Sequence, residues 1–494
     1  MMRNPGLLAV PLMALLGVVG AAAAGSDVSL VEAVRQGDTA AVRALVTKTA
    51  DVNRAEPDGT TPLHAAVQRD DLQIVDLLLH AGANAKTATR YGVTPLYLAC
   101  VNGNAAIIEK LLAARADANT SLPEGEPAIM TAARNGTVAA VRALLAHGAN
   151  PNAKDGWKGQ TPLMWAAARN NAAAAQALIT AGADVQTKTK GGFTAFLFAV
   201  RGGQIDAARV LLDAGAKVHE GLPNGHSPIV LALWNSHYEM AGFLLDRGAD
   251  PNSNTQGWTP LHQIVWSRRP PTGFNLPGPV PTGNLDSLEL VKKLIQRGAD
   301  VNSREEKEPK DGYRNQLYRV GATPFLLAAK NVDLPLMRLL LANGADPKLT
   351  TEDGATALMV AAGVGIWAPG ENPGTDEEAL EAVKLAFEVG GGGVNDADRN
   401  GDTALHGAVY RAGSIAIAKF LIDRGARLDA ANSKGWTPLI AADGVEYTPT
   451  VLKRYPDMAR FLRQTARDRG LPVPEPADAP KVLAVTPDTA PAGR

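Results

Sequence analysis

The chain has 494 residues, and its 49 lysines and arginines against 50 aspartates and glutamates give a formal net charge of −1. A protein that binds nucleic acid through phosphate contacts usually carries a basic excess, and neither the totals nor a local run of Lys and Arg provides one. A content of 46% hydrophobic and 20% charged residues excludes a disordered chain, and the single Cys100 excludes an intramolecular disulfide framework.

Residues 1–24 have the organisation of a secretory signal peptide. Arg3 gives a positive start, residues 7–19 form an apolar stretch, and Ala21 to Ala24 supply small residues for cleavage. An uncleaved membrane anchor is the alternative, but the apolar stretch is shorter than the roughly 20 residues that a spanning helix needs. The sequence therefore predicts an exported, periplasmic or secreted protein without membrane insertion after cleavage.

Residues 25–58 are predicted to form an N-terminal capping repeat. Leu30, Ala33 and Val34 have helical spacing, although the stretch lacks the opening phrase of the units that follow. An end repeat has a neighbour on one side only, so its outer face must be polar.

From Gly59 onward one phrase recurs, first as Gly-Thr-Thr-Pro-Leu-His over residues 59–64. The phrase glycines stand at positions 59, 92, 125, 159, 192, 225, 257, 321, 354, 401 and 435. Most separations are 32 to 34 residues, and the exceptions are 64 and 47. A fixed period of this length indicates stacked repeats, and the two long intervals indicate repeats with inserted loops.

Each unit has the signals of two helices. Thr61 can cap the free N–H groups of a first helix, and Pro62 fits the first helical position, where a missing donor costs nothing. A second apolar helix over residues 74–79 ends near Gly82, whose tolerance of positive φ lets the chain turn. A polar stretch suited to a hairpin follows.

The phrase Thr61-Pro62-Leu63-His64-Ala65-Ala66 resembles the signature of the ankyrin repeat, a unit of about 33 residues. The resemblance implies an all-α solenoid of about 12 helix-turn-helix units with short β-hairpin connections. The array is expected over residues 59–467, ending in a C-terminal capping helix, with three insertions near residues 267–286, 303–320 and 365–375. Six prolines over residues 471–494 predict a flexible tail at 468–494.

The residues that could support catalysis or metal binding have simpler structural interpretations. The resemblance implies that His64, His262 and His406 tie a loop to a helix, and Cys100 falls at an apolar inner-helix position. Residues 396–402 imitate the first half of a calcium-binding loop, but the twelfth position, which needs a glutamate, is Gly407. No acid, base and nucleophile come together in a known motif, so we predict no enzyme, no cofactor and no metal site.

Partner binding is expected at positions that the resemblance leaves free to vary. These are the residue after the phrase glycine and the residues that close the first helix, together with two tyrosines of the second insertion. The predicted contacts are Arg134, Arg169, Phe193, Arg201, His226, Trp234, Trp258, Trp266, Tyr313, Tyr318, Lys330, Tyr410 and Trp436. Trp234, Trp258 and Trp266 are expected to form one aromatic patch, with packing inside each repeat as the alternative, whereas Trp165 is predicted to be core.

The resulting hypothesis is an exported scaffold that binds one or more proteins through its concave face, hairpin tips and inserted loops. Trp, Tyr and Arg dominate the energetics of protein interfaces, which favours this interpretation. The alternatives are a secreted effector that acts on a host protein and an enzymatic or metal-binding activity carried by the loops.

Overall fold

The computed structural model describes residues 29–47, 51–270, 280–309, 316–366, 372–448 and 451–473. The predicted signal peptide, Tyr313 and most of the Pro-rich tail lie outside these ranges. Contacts between Cα atoms divide the chain into two compact units, Met1–Lys217 and Val218–Arg494. Each unit consists of helix pairs.

The described part of the first unit holds six helix pairs, and in each pair a first helix of seven or eight residues precedes a second helix of nine. In chain order the helices are α1 (Leu30–Gln36), α2 (Thr39–Thr47), α3 (Pro62–Gln68), α4 (Leu72–His80), α5 (Pro95–Asn102), α6 (Ala105–Ala113), α7 (Ala128–Asn135), α8 (Val138–Ala146), α9 (Pro162–Ala168), α10 (Ala172–Thr180), α11 (Ala195–Arg201) and α12 (Ile205–Asp213).

The described part of the second unit continues the helix pairs and ends in a hairpin and a long helix. Its helices are α13 (Pro228–Trp234), α14 (Tyr238–Asp246), α15 (Pro260–Arg268), α16 (Ser287–Gln296), α17 (Pro324–Lys330), α18 (Leu334–Ala342), α19 (Ala357–Ala362), α20 (Asp376–Glu388), α21 (Ala404–Tyr410), α22 (Ile415–Ile422), α23 (Pro438–Asp443) and α24 (Pro456–Asp468). The antiparallel strands β1 (Val445–Thr448) and β2 (Val451–Lys453) pair with Val445 opposite Lys453. The helical repeat fold expected from the sequence is confirmed.

The phrase residues start the first helices as predicted. At α3 the N-cap residue is Thr61, whose side chain accepts a hydrogen bond from the backbone N–H of His64, and Pro62 is the first helical residue. The same arrangement of Thr and Pro opens α5, α9 and α17. Because the cap satisfies an N–H group that has no partner inside the helix, the phrase fixes where each first helix begins.

The three phrase histidines connect consecutive turns, as the resemblance implied. Nδ1 of His64 accepts from the Thr61 backbone N–H at 3.2 Å, so the proton lies on Nε2, which donates to the Val93 carbonyl at 3.0 Å. His262 makes the equivalent bonds to Thr259 and Ala322, and His406 does so to Thr403 and Trp436. Each ring therefore ties the start of a first helix to the following hairpin.

In six of the repeats, an asparagine in the turn after a second helix forms a second link to the following repeat. Asn152 Nδ2 donates to the Gly182 carbonyl at 2.9 Å, and its Oδ1 accepts from the Asp184 N–H at 2.8 Å. Asn53, Asn119, Asn252, Asn302 and Asn395 make the same pair of bonds. The amide satisfies a carbonyl left free at the helix end, where Gly182 has a φ of +89°.

The cores of both units form where first and second helices face each other. Leu63, Leu96 and Cys100 in the first unit and Leu326 in the second are at most 1% exposed. Burial raises the pKa of the Cys100 thiol to about 12, which keeps it protonated and unreactive. The predicted structural role of this cysteine is consistent with its position.

We predict that replacing His262 with Met, the residue at the equivalent position 164, destabilises the protein by about 1–3 kcal/mol at pH 8. Met cannot donate to the Ala322 carbonyl, so that buried acceptor loses its partner. Burial lowers the pKa of His262 from 6.5 to about 3. Between these two pKa values the unfolded chain therefore binds more protons than the folded chain. As a result, the free energy of unfolding of the wild type falls by about 2 kcal/mol between pH 8 and pH 5.

The free energy of unfolding is measured by urea denaturation at pH 8 and pH 5, with tryptophan fluorescence as the probe of unfolding. The difference between His262→Met and wild type should shrink at pH 5, because Met takes up no proton. A difference that stays constant or grows towards pH 5 would contradict the neutral, doubly bonded imidazole.

Candidate functional site

The predicted partner contacts fall into small clusters along the ends of the first helices and the neighbouring turns. In the first unit, Arg134 closes α7 and its guanidinium lies 5.2 Å from the centre of the Trp165 ring on α9. Glu126 Oε1 lies 3.6 Å from Arg134 Nη1. Trp165 is half-buried rather than in the core, because its ring forms part of the surface beneath Arg134. This pair is one cation–π contact between adjacent repeats.

A second cluster of the first unit surrounds Arg201 at the end of α11. Its guanidinium lies 5.0 Å from the ring centres of both Phe193 and Phe198, and the two rings are 5.3 Å apart. Phe193 is half-buried, whereas Arg201 and Arg169 are exposed. The structure therefore brings two of the predicted contacts, Phe193 and Arg201, into one accessible cluster.

The first cluster of the second unit joins three predicted residues. The His226 ring lies 5.3 Å from the Trp234 ring and 5.7 Å from the Trp258 ring. His226 and Trp234 are half-buried, and burial lowers the pKa of His226. Trp258 is not the exposed residue that the sequence suggested: it is 6% exposed, and its Nε1 donates to Gln263 Oε1 at 2.9 Å.

Trp266 and Lys330 are also covered, which corrects the expected patch of three tryptophans. Trp266 is 7% exposed because the Arg319 guanidinium of the second insertion lies 4.2 Å from its ring centre. Lys330 is 1% exposed, and its Nζ donates to Asn372 of the third insertion at 3.1 Å. The alternative of packing inside the repeat describes Trp266, whereas Lys330 is covered by the insertion of the next repeat.

The insertions are fixed in this position by ion pairs. Arg319 and Glu305 form a buried pair at 2.5 Å, and Arg268 of the first insertion pairs with Asp333 at 2.8 Å. The second and third insertions meet where the Gln316 N–H donates to the Gly365 carbonyl at 3.1 Å. Residues of all three insertions therefore pack at the first-helix ends of α15 and α17, whereas Thr282 and Asn284 of the first insertion bond to Ser236 and Glu239 near the start of α14.

The remaining predicted contacts differ in exposure. Tyr410 is 3% exposed, since its hydroxyl donates to Asp402 at 2.9 Å, so it too is less accessible than expected. Trp436 is half-buried with Lys434 Nζ 4.6 Å from its ring centre, and Tyr318 is 38% exposed. Tyr313 lies outside the described residues. Whether these residues contact a partner stays a prediction.

Two exposed aromatic residues are not among the partner contacts predicted from the sequence. Trp157 is 80% exposed and Tyr91 is 64% exposed, and both stand at hairpin tips just before a phrase glycine. The signal for Trp157 was the 34-residue spacing between Gly125 and Gly159, which places an extra residue in that tip. An exposed tryptophan on a well-ordered turn is a typical interface hot spot.

The segment that imitates a calcium loop forms a hairpin. Asp398 is 8% exposed, and its Oδ1 accepts from the backbone N–H groups of Asn400 at 2.8 Å and Asp402 at 2.9 Å. Burial, together with the charges of Asp402 and Asp353, raises the pKa of Asp398 to about 6. Across the described ranges, His, Cys, Asp and Glu side chains do not gather in a group of three that could hold a metal ion.

The described residues also contain no helix with the length and apolar character needed to span a bilayer.

A comparison with protein families identifies these repeats. A family model described as "Ankyrin repeats (3 copies)" matches residues 30–121, 102–189, 129–221, 178–255, 282–366 and 375–463, more than half of the chain. The chain is 31% identical over 155 residues to a protein named "Mitochondrial disaggregase" from Bos taurus; the match covers 31% of this chain and 19% of that protein. The crystal structure of the human ASB11 ankyrin repeat domain is 28% identical with a TM-score of 0.41, covering 45% of this chain and 98% of that domain.

We predict that Asp398→Asn stabilises the protein above pH 6. The pKa of Asp398 is about 6 in the folded chain and 3.8 in the unfolded chain, so the free energy of unfolding falls as pH rises between these values. Above pH 6 the folded protein therefore carries the full cost of the buried carboxylate charge. Asn432 shows that an asparagine fits, since its Oδ1 accepts from the N–H groups of Lys434 and Trp436 in the equivalent turn.

Urea denaturation at pH 8 and pH 4 tests this expectation. The gain should be on the order of 3 kcal/mol at pH 8, given about 1.4 kcal/mol for each pKa unit, and should nearly vanish around pH 4. The reciprocal change Asn432→Asp should lower stability at pH 8. Equal effects of Asp398→Asn at both pH values would show that the buried charge is not the cause.

Proposed function

The chain belongs to the ankyrin-repeat family, and we propose that it is an exported, non-enzymatic scaffold that binds another protein through its first unit. The binding surface consists of the first-helix ends and hairpin tips of that unit. The observation that carries this proposal is Trp157, whose indole is 80% exposed at a tip held by regular hydrogen bonds.

The two units differ in how much of this surface is free. In the first unit Arg134, Arg169, Phe193 and Arg201 keep exposed or half-buried side chains, next to the exposed tip residue Trp157. Arg and aromatic residues supply most of the binding energy of typical interfaces, and the aromatic rings bury a large area at a low cost in side-chain entropy. These residues form a suitable set of anchors.

In the second unit the insertions occupy the equivalent surface. Trp266 and Lys330 are 7% and 1% exposed beneath Arg319 and Asn372. A partner would have to displace the Arg319–Glu305 pair to reach them, which leaves a buried charge unpaired and costs several kcal/mol. The half-buried His226 and Trp234 remain accessible at the start of this unit.

The disaggregase relative does not extend this proposal to a chemical activity. The matched stretch spans only 19% of that protein, so what its name describes is not transferred to this chain. The repeats themselves support a binding role, and the partner is to be identified by the cross-linking experiment at position 157.

We predict that a photo-cross-linking amino acid at position 157 captures a discrete partner in cells that make the protein. The same residue at Leu72, which is 38% exposed on the second helix α4, is the matched control and should not capture it. Replacing Trp157 by Ala should weaken binding of the captured partner roughly tenfold to a hundredfold, as for a hot-spot side chain. Capture of the same protein from both positions, or no capture from position 157, would show that this surface does not bind the partner.

Export is the second part of the proposal and has a separate test. Signal cleavage predicts that the mature chain begins near Gly25 and is found in the osmotic-shock fluid or the culture medium. Leu15→Arg places a charge in the apolar stretch and should leave the full-length chain inside the cell. An intact N-terminus in the cytosol of the wild type would disprove export, and recovery from the medium alone would favour an effector acting outside the cell.

A further inference from the structure

The charge of the chain is segregated, although its total is close to zero. From the start of α7 to the end of α11, residues 128–201 contain eight lysines and arginines but only two acidic residues, Asp155 and Asp184. The sequence showed no basic run because these residues are spaced by the repeat rather than placed side by side. The fold places seven of them on the tips and first-helix ends of neighbouring repeats, whereas Arg142 lies on α8.

Both acidic side chains of this stretch are held against their own loops. Asp155 Oδ1 accepts from the backbone N–H groups of Trp157, Lys158 and Gly159 at 2.6 to 3.0 Å. Asp184 accepts from the Gln186 N–H at 2.9 Å and from the Thr187 hydroxyl at 2.8 Å, bonds that lower the pKa of its carboxyl. They stabilise the turns and leave the projecting positions to lysine.

Two adjacent tips form one surface around Trp157. Lys154 and Lys158 flank the indole on its own tip, and Lys188 and Lys190 stand on the next one; all four side chains are exposed. The Lys190 backbone N–H donates to the Lys158 carbonyl at 3.0 Å, and Lys190 Nζ donates to the Trp157 carbonyl at 2.9 Å. These bonds fix Lys190 relative to Lys158 and Trp157.

We propose that this basic tip surface, defined by Lys154, Trp157, Lys158, Lys188 and Lys190, binds an acidic segment of a partner protein. The proposal rests on the proposed function and adds the chemistry of the partner. Carboxylates of the segment pair with the lysines, and an apolar side chain of the segment packs on the exposed indole. Complementary charge of this kind speeds encounter and excludes basic partners.

The arrangement fits a peptide better than a nucleic acid. Single-stranded nucleic acids require open aromatic faces on which bases stack, together with arginines free for phosphate. Here the Arg134 guanidinium lies over the Trp165 ring, and the Arg201 guanidinium lies over the Phe193 and Phe198 rings. The exposed Trp157 offers a single apolar contact among separate ammonium groups, which suits isolated carboxylates beside an aliphatic side chain.

The test measures binding of three fluorescein-labelled probes to the purified full chain by anisotropy. The probes are a peptide of Glu-Glu-Leu repeats, a peptide of Lys-Lys-Leu repeats and a single-stranded oligonucleotide. The tip variant combines Lys154→Gln, Lys158→Gln and Lys190→Gln. The control variant removes the same number of charges from exposed positions away from the tips, with Arg43→Gln, Arg115→Gln and Arg142→Gln.

We expect the acidic peptide to bind, and we expect its affinity to fall as salt is raised. In the tip variant the affinity should fall roughly tenfold, since three exposed ion pairs are lost together. Trp157→Ala should also weaken it, and the control variant should stay within about twofold of wild type. Tighter binding of the oligonucleotide, equal losses in both variants, or no binding of the acidic peptide would each overturn the proposal. If position 157 still captures a protein in that last case, the scaffold function stands and only the acidic partner is refuted.

Discussion

The structure depends on hydrogen bonds that each repeat can complete only with the next one. A helix leaves its last carbonyl groups without partners, and here the amide of an asparagine from the preceding repeat supplies the donor, as Asn152 does for Gly182. The bond is the same where an insertion lengthens the chain between the two residues, as between Asn252 and Gly298. Insertions are therefore tolerated, because they leave from turns and bypass both the asparagine links and the buried helix faces.

The insertions of the second unit use this freedom to cover their own first-helix ends. Arg319 stacks on Trp266 and pairs with Glu305, both within the protein interior. Taking two charges out of water is expensive, and good geometry compensates for that cost without adding much stability. The consequence is functional: the surface that the repeats would offer to a partner is replaced by loop residues, whereas the first unit keeps its tips and helix ends open.

Recognition by the first unit combines rigid aromatic anchors with charge. Cation–π contacts hold Arg134 over Trp165 and Arg201 over Phe193, so these side chains are ordered before a partner arrives. Ordering in advance reduces the entropy lost on binding. In the proposed interaction, the lysines of the neighbouring tips, around Trp157, add the charge that would select an acidic partner.

The sequence by itself determined the repeat period, the caps at Thr61 and its equivalents, the roles of the phrase histidines and the burial of Cys100. The period, the caps and the position of Cys100 follow from local rules of helix capping and spacing, which need no knowledge of distant residues, whereas the histidine roles were implied by the resemblance to the ankyrin repeat. The tertiary structure alone decided which aromatic residues reach solvent. Trp266 and Lys330 are buried because Arg319 and Asn372, which lie far along the chain, pack on the ring or bond to the ammonium group. Trp258 and Tyr410 are buried with nearer partners, Gln263 and Asp402, whereas Trp157 is exposed at its tip. Exposure depends on contacts between distant segments, and a periodic sequence does not encode where an irregular loop returns.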